Sequence, residues 1–240
     1  LKTLSNNEGG ILLKKVKGPF ATITLNEPNK MNVLSVEMLN SIQESLDDLS
    51  KDKSVRVIIL EANGKAFCTG HDLKDMRSNY TYEYQNDLFA QCSKVMLSIH
   101  RLPQPVIAKV NGMATAAGCQ LVATCDLAIA STLSSFAVSG INNGLFCTTP
   151  GVALSRNLSR KHSMEMLLTG DFISAERAVE VGLINKAVNA SELNESVEEL
   201  AIKLSEKSFH GLKIGKQAFY RHIEMGISDA YKYASNEMAK

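Results

Sequence analysis

Apolar residues first recur in two short runs. Ile11 to Val16 and Ala21 to Leu25 read as strands joined by the turn Lys17-Gly18-Pro19, an antiparallel pair. From Ser35 to Lys51 the period lengthens: Leu39, Ile42, Leu46 and Leu49 share one helical face, with Ser35 placed to cap it. Val55 to Glu61 is a β-branched run stopped by Asn63-Gly64, which predicts a buried strand. A helical stretch carrying Phe89, Cys92, Met96 and Ile99 leads to another buried strand, Val106 to Val110. After a short helix from about Ala116 to Thr124, Leu127 to Ala130 repeats the strand pattern. Successive ββα and βα turns of this kind predict an α/β fold around a mostly parallel sheet.

From Gly151 onward helical periods dominate: Met164 to Leu168, Ala175 to Val181 stopped by Gly182, then Leu193, Val197, Leu200 and Leu204 on a third face. The expected organisation is one core over residues 1–188 and a C-terminal helical segment over 189–240. Ile214, Phe219, Tyr220, Tyr231 and Tyr233 concentrate apolar surface near the end of the chain. Such a layer packs on the chain's own core or on further copies, so an oligomer is expected.

Composition narrows the ligand class. With 26 Lys+Arg against 25 Asp+Glu and a net charge of +1, the chain carries no field suited to nucleic acid or a membrane surface, and a small molecule is the expected partner. The longest apolar stretches fall well short of the roughly 20 residues of a membrane span. Five cysteines (Cys68, Cys92, Cys119, Cys125, Cys147), odd in number and without paired CxxC spacing, read as reduced core thiols, and no metal site is expected. The chain opens on Leu1 rather than Met, which suggests a trimmed or processed chain, and Leu1 to Gly10 has no apolar signal-peptide core.

Two segments place small residues where a strand gives way to a loop or helix: Lys65-Ala66-Phe67-Cys68-Thr69-Gly70-His71-Asp72-Leu73-Lys74 and Asn111-Gly112-Met113-Ala114-Thr115-Ala116-Ala117-Gly118-Cys119-Gln120. Glycine turns and helix N-termini leave backbone N–H groups free, and two of them aimed at one point can hold a carbonyl oxygen as it gains negative charge. Asp72 and Asp126 read as cap or turn residues. No G-x-G-x-x-G follows a strand, and neither a G-x-S-x-G elbow nor an HExxH helix is present, which disfavours a dinucleotide-binding dehydrogenase, a serine hydrolase of that type and a zinc peptidase.

Phe67-Cys68-Thr69-Gly70-His71-Asp72-Leu73 resembles the F-x-x-G-x-D-[LI] loop of the enoyl-CoA hydratase/isomerase (crotonase) family. Pro105 to Gly112, followed by Ala117-Gly118-Cys119-Gln120-Leu121, resembles that family's PVIAAVNG…GGGCEL segment. Cys125-Asp126-Leu127 and Met164 through Ala175 match two further family stretches in order and spacing. The resemblance, running from about Ala21 to about Val188, implies a ClpP/crotonase-like spiral of ββα turns with a C-terminal helical trimerisation layer, a homotrimer or hexamer, and acyl-CoA as the ligand in fatty acid metabolism. It implies no tightly bound cofactor, coenzyme A entering as part of the substrate. Carried over by position, the two carbonyl-holding N–H groups fall on His71 and Ala117. Lys65, Ala66, Thr69 and Lys74 fall where the family lines the coenzyme A nucleotide, and Lys213 or Lys216 is a further phosphate candidate. The compartment implied is cytoplasmic for a bacterial chain and the mitochondrial matrix for a eukaryotic one with its presequence removed.

The family's hydratases use two glutamates, one to protonate a carbon and one to activate water. Here Gln120 and Gly140 stand in those positions. An amide does not accept a proton near neutral pH, and glycine has no side chain. The loop Leu145 to Gly151, where the family's isomerases carry a carboxylate, has no acid. General acid–base help is worth ~10² to 10⁴ in rate, so ordinary hydratase turnover is expected to be weak or absent. The remaining polar candidates near the acyl chain are His71, Asn142, Asn143, Cys147, Thr148 and Thr149, with Cys147 read as packing. Two readings stay open: an enzyme that stabilises an enolate, as lyase or isomerase, and a non-catalytic acyl-CoA-binding protein. A peptidase of the related Clp type would need a serine on the turn after Val110, where this chain has Ala114-Thr115-Ala116.

Overall fold

The computed structural model describes residues 9–240; Leu1 to Glu8, most of the opening segment, lie outside the described residues. β1 (Leu12–Lys17) and β2 (Phe20–Leu25) form the expected antiparallel pair, closed by Gly18 at φ +59°. Thereafter each pass of the chain lays one longer strand and one shorter one: β3 (Val57–Ala62) then β4 (Ala66–Cys68), β5 (Val106–Val110) then β6 (Met113–Thr115), β7 (Leu127–Ser131) then β8 (Ser135–Ala137). β9 (Ile173–Ser174) and β10 (Lys186–Val188) complete two sheets, ordered β1-β2-β3-β5-β7-β10 and β4-β6-β8-β9. All pairings are parallel except β1 with β2 and β8 with β9. The expected spiral is therefore present, and it carries a second sheet that periodicity did not predict. Three-residue strands hold less than two alternations, too few to show a period of two.

Ser35 caps α1 (Val36–Lys51), its Oγ accepting from Met38 N–H at 3.1 Å, and Asp72 caps α2 (Leu73–Ser78), as read from the sequence. α1 and α3 (Tyr82–Arg101) cover one face of the larger sheet, burying Leu39, Ile42, Leu46, Cys92, Met96 and Ile99 against Ile58 and Leu60. α4 (Ala117–Thr124) is buried throughout. α5 (Thr148–Asn157), α6 (Arg160–Thr169) and α7 (Ala175–Glu180) follow. α8 (Leu193–Ser205) then lays Leu193, Val197 and Ala201 on Val57, Ile107, Ile129 and Val188, on the opposite face of the sheet.

α9 (Phe209–His222) is joined to the body by a charged cluster. Asp126 Oδ2 accepts from Val106 N–H and from Lys216 Nζ, each at 2.7 Å, and its Oδ1 accepts from Tyr220 O–H at 2.9 Å. Lys216 Nζ also donates to the carbonyls of Ile99 and Gln104, both at 2.8 Å, and the Tyr220 ring stacks on His100 at 4.1 Å. Two sequence readings are corrected here. Asp126 is an interior anchor rather than a cap, and Lys216, its side chain only 7% exposed, has its three protons committed inside the protein and is not free for a phosphate. Lys213 stays exposed. Tyr220 belongs to the chain's own core contact, whereas Phe219 on α9 and Ile227, Tyr231 and Met238 on α10 (Ile227–Met238) present apolar surface to the outside.

Candidate active site

β4 and β6 run side by side and in parallel, so the loop after Cys68 and the turn after Thr115 emerge at the same edge. Gly118, in the first turn of α4, makes the contact intimate: a Cβ there would lie 2.1 Å from the Cys68 carbonyl oxygen. Gly70, at φ +87°, brings the loop against the helix start, its Cβ position 2.9 Å from Ala116 Cβ and 3.2 Å from Ala117 N. Two backbone donors result. Among the described residues, neither the His71 N–H nor the Ala117 N–H has a hydrogen-bond acceptor, and Ala117 opens α4, where helical N–H groups lack internal partners.

Between them Ala116 holds φ +50°, ψ −120°, a conformation that costs a non-glycine residue about 1–3 kcal/mol. It is fixed by its N–H to the Ala137 carbonyl (2.9 Å) and its carbonyl to Gln120 N–H (3.0 Å). Its side chain is a methyl, and the neighbouring Thr115 hydroxyl donates to the Thr69 carbonyl at 3.2 Å, so the turn presents no free nucleophile.

Both donors border a cavity of 260 Å³. Leu73, Met76 and Phe89 of α2 and α3 form one wall, and Leu145, Phe146 and Cys147 the other. Asn143, Thr148 and Thr149 add polar edges, and among the described residues no Asp, Glu, Lys or Arg lines it. Thr69, His71, Ala117 and Gly140 border it together, whereas Gln120 is not among its lining residues. Nor is Asn142, which packs on Gly170 and donates to that residue's carbonyl at 3.4 Å. Lys65 and Lys74 are exposed on either side of the loop, and Ala66 is buried in β4 with its carbonyl accepting from Asn32 Nδ2 at 2.8 Å. The hydrophobic wall from Met76 and Phe89 depends on how α2 and α3 fold over the loop, which the periodicity of the chain does not state.

The His71 ring is held in one tautomer. Nδ1 lies 3.2 Å from the Leu34 carbonyl, which can only accept, so Nδ1 carries the proton and Nε2 the lone pair. Nε2 is shut off from solvent and has no partner among the described residues, beside Phe89 in an edge contact at 5.4 Å. Leu34 N–H in turn donates to the Gly70 carbonyl at 2.8 Å. The ring therefore braces the loop that presents its own backbone N–H. Burial lowers the imidazole pKa below its ordinary 6.5, the Leu34 bond opposing the shift. Above about pH 6.5 the ring is neutral in folded and unfolded chains alike; below it the unfolded chain takes up the proton first, so this group's contribution to stability falls as the pH falls. Denaturation midpoints compared between roughly pH 7.5 and 5.5 should drop further in the native protein than in His71→Asn, which keeps a donor for Leu34 but does not titrate there. Parallel pH profiles would show that His71 does not supply the effect.

Gln120 and Gly140 differ in how they are packed. Gln120 is 4% exposed on α4, one turn beyond Ala117, and its Oε1 has no partner among the described residues. Gly140 sits in a short 3₁₀ segment where a Cβ would lie 2.5 Å from the Leu145 carbonyl oxygen and 2.6 Å from Cys147 Sγ. No side chain fits there without moving the loop. Burial raises the Cys147 thiol pKa, which keeps it protonated and agrees with its reading as packing.

Comparison of sequence and structure assigns this fold to a known class of protein. The family profile "Enoyl-CoA hydratase/isomerase" matches residues 16–239, and the chain belongs to that family. Within it, the chain is 45% identical over 218 residues to the mitochondrial enoyl-CoA hydratase domain-containing protein 3 of Xenopus laevis, covering 91% of this chain and 74% of the relative. A solved enoyl-CoA hydratase from Mycobacterium smegmatis superposes with a TM-score of 0.95 at 51% identity, covering 96% of this chain and 90% of that one. The crystal structure of human enoyl-CoA hydratase domain-containing protein 3 gives 0.93 at 43%, covering 96% and 91%.

Proposed function

We propose that this protein binds acyl- or enoyl-CoA thioesters, holds the thioester carbonyl oxygen between the N–H groups of His71 and Ala117, and lacks the acid–base pair of a hydratase. The observation that carries this reading is the pair of unspent donors at the edge of an uncharged, mainly apolar cavity. A carbonyl held by two such donors becomes an enolate more readily, and one donor is worth about 2.7–4 kcal/mol in comparable sites. Lys65, Ala66, Thr69 and Lys74 are the proposed contacts to the coenzyme A nucleotide; the exposed ammonium groups of Lys65 and Lys74 suit its phosphates.

Proton transfer is what the site lacks. Gln120 is neutral, Gly140 has no room for a side chain, and His71 Nε2 is enclosed against Phe89. That favours retained binding and carbonyl polarisation with little or no hydration, the binding-protein reading gaining from the closed Gly140 position. The apolar outer faces of α9 and α10 support assembly as a homotrimer or a pair of trimers, with 189–240 as the assembling segment on the 1–188 core. Calorimetric titration with crotonyl-CoA and a longer enoyl-CoA, with loss of the enoyl absorbance followed in the same samples, tests the proposal. Binding with negligible turnover is expected. Absence of binding sinks the thioester assignment, and rapid turnover sinks the absence of a proton-transferring group.

A further inference from the structure

We propose that the α8 face of the larger sheet carries a second ligand site, a trough between β1 and α8 that takes a free aliphatic carboxylate. The trough shares no lining residue with the cavity bordered by His71 and Ala117, and the inference does not rest on the thioester reading.

The trough exists because α8 is narrower than the sheet beneath it. The helix packs on Val57, Ile107, Ile129 and Val188, from β3, β5, β7 and β10, and leaves much of the same face of β1 and β2 open. Lys14 turns to the other face, donating to Asp48 of α1 at 2.7 Å, so the alternate residues Leu13, Lys15 and Lys17 turn to the trough. Strand register sets Lys17 beside Phe20 and Lys15 beside Thr22, and Thr22 in turn beside Ile59. Passing from β1 to α8, the lining therefore changes from ammonium groups, through Phe20 and Ile59, to Val197 and Ala201. It encloses 480 Å³, within the range of small-molecule sites.

The charges select the ligand. On the floor Glu61 accepts from Lys109 Nζ at 2.7 Å and from the Thr24 hydroxyl at 2.9 Å, so this acid and this base answer each other. Lys15 and Lys17 are exposed and have no acidic partner among the described residues. Against these two cations stands Glu198 on the α8 side, a balance that one carboxylate neutralises and a doubly charged phosphate overshoots. The carboxylate belongs on the lysine rim, and its chain crosses two strand spacings, about 10 Å, which about eight carbons cover. Lysines on an edge strand also discourage pairing with other chains, but that role asks nothing of the apolar lining behind them.

Equilibrium dialysis of labelled octanoate and hexanoate against the full chain tests the proposal. The native protein should hold octanoate about fourfold more tightly than hexanoate, the effect of two half-buried methylenes. The double variant Lys15→Gln, Lys17→Gln should weaken octanoate about fivefold and keep the preference for the longer chain. Thr22→Trp, an aromatic residue suited to a strand, should fill the trough and abolish binding. Octanoate binding that is unchanged in Thr22→Trp overturns the proposal, because the ligand then sits elsewhere. Unchanged affinity in the lysine variant also overturns it, and those exposed substitutions disturb no core contact. So does a native protein that ignores millimolar octanoate yet binds anionic phospholipid vesicles, which would make a lipid surface the partner. Failure of acyl-CoA binding leaves each of these outcomes readable.

Discussion

Gly140→Glu, which would formally supply the family's second acid, is expected to destabilise the protein by about 3 kcal/mol or more and to leave hydration undetected. The first side-chain atom already stands 2.5 Å from the Leu145 carbonyl oxygen and 2.6 Å from Cys147 Sγ. One of these is backbone, so rotation of a neighbouring side chain does not relieve the contact. Overpacking of this kind costs roughly 1–3 kcal/mol by itself, and a carboxylate forced among Leu145, Phe146 and Cys147 adds the cost of an unpaired buried charge. Gly140→Ala should show the steric part alone. Denaturant midpoints for the three proteins, with enoyl-CoA consumption measured on each, decide the matter. Native-like stability together with new hydration in Gly140→Glu would show that the loop yields and that the closure described here is not binding.

Asp126→Ala is expected to lose about 3–5 kcal/mol, the range for removing one partner of a buried ion pair. The alanine leaves the Lys216 ammonium with only the Ile99 and Gln104 carbonyls and frees Val106 N–H and Tyr220 O–H. Burial already lowers the Lys216 pKa, and Asp126 is the chief group opposing that shift. Adding Lys216→Met to Asp126→Ala should recover part of the loss, since the orphaned charge goes with it. Thermal melting of the single and double variants, with limited proteolysis across residues 209–222, reads the effect. A single variant that melts within a degree or two of the native protein would assign the attachment of α9 to other contacts.

Much of this architecture could be read from the chain. Ser35 and Asp72 announced their helices through short polar side chains set just before apolar periods, and Val57–Ala62, Val106–Val110 and Leu127–Ser131 announced buried parallel strands by mostly apolar runs. The loop around His71 and the turn before Ala117 were visible as small residues between elements. What could not be read depends on distance in space. β4, β6 and β8 are too short to show a period, Asp126 meets Lys216 across 90 positions, and the crowding at Gly140 comes from a loop five to seven residues further on. A glycine in sequence states that a side chain is absent; only the packing states whether one would fit.

The packing at residue 140 also bears on how this lineage can change. Where a catalytic acid is merely missing, a single codon change can return it, and selection can test the old chemistry again at little expense. Here the neighbouring loop occupies the space a side chain at 140 would need, so a mutant bearing one must be tolerated before the loop that excludes it has shifted. A path to an acid at this position passes through an unfit intermediate, and variation there is narrowed to what the surrounding loop admits.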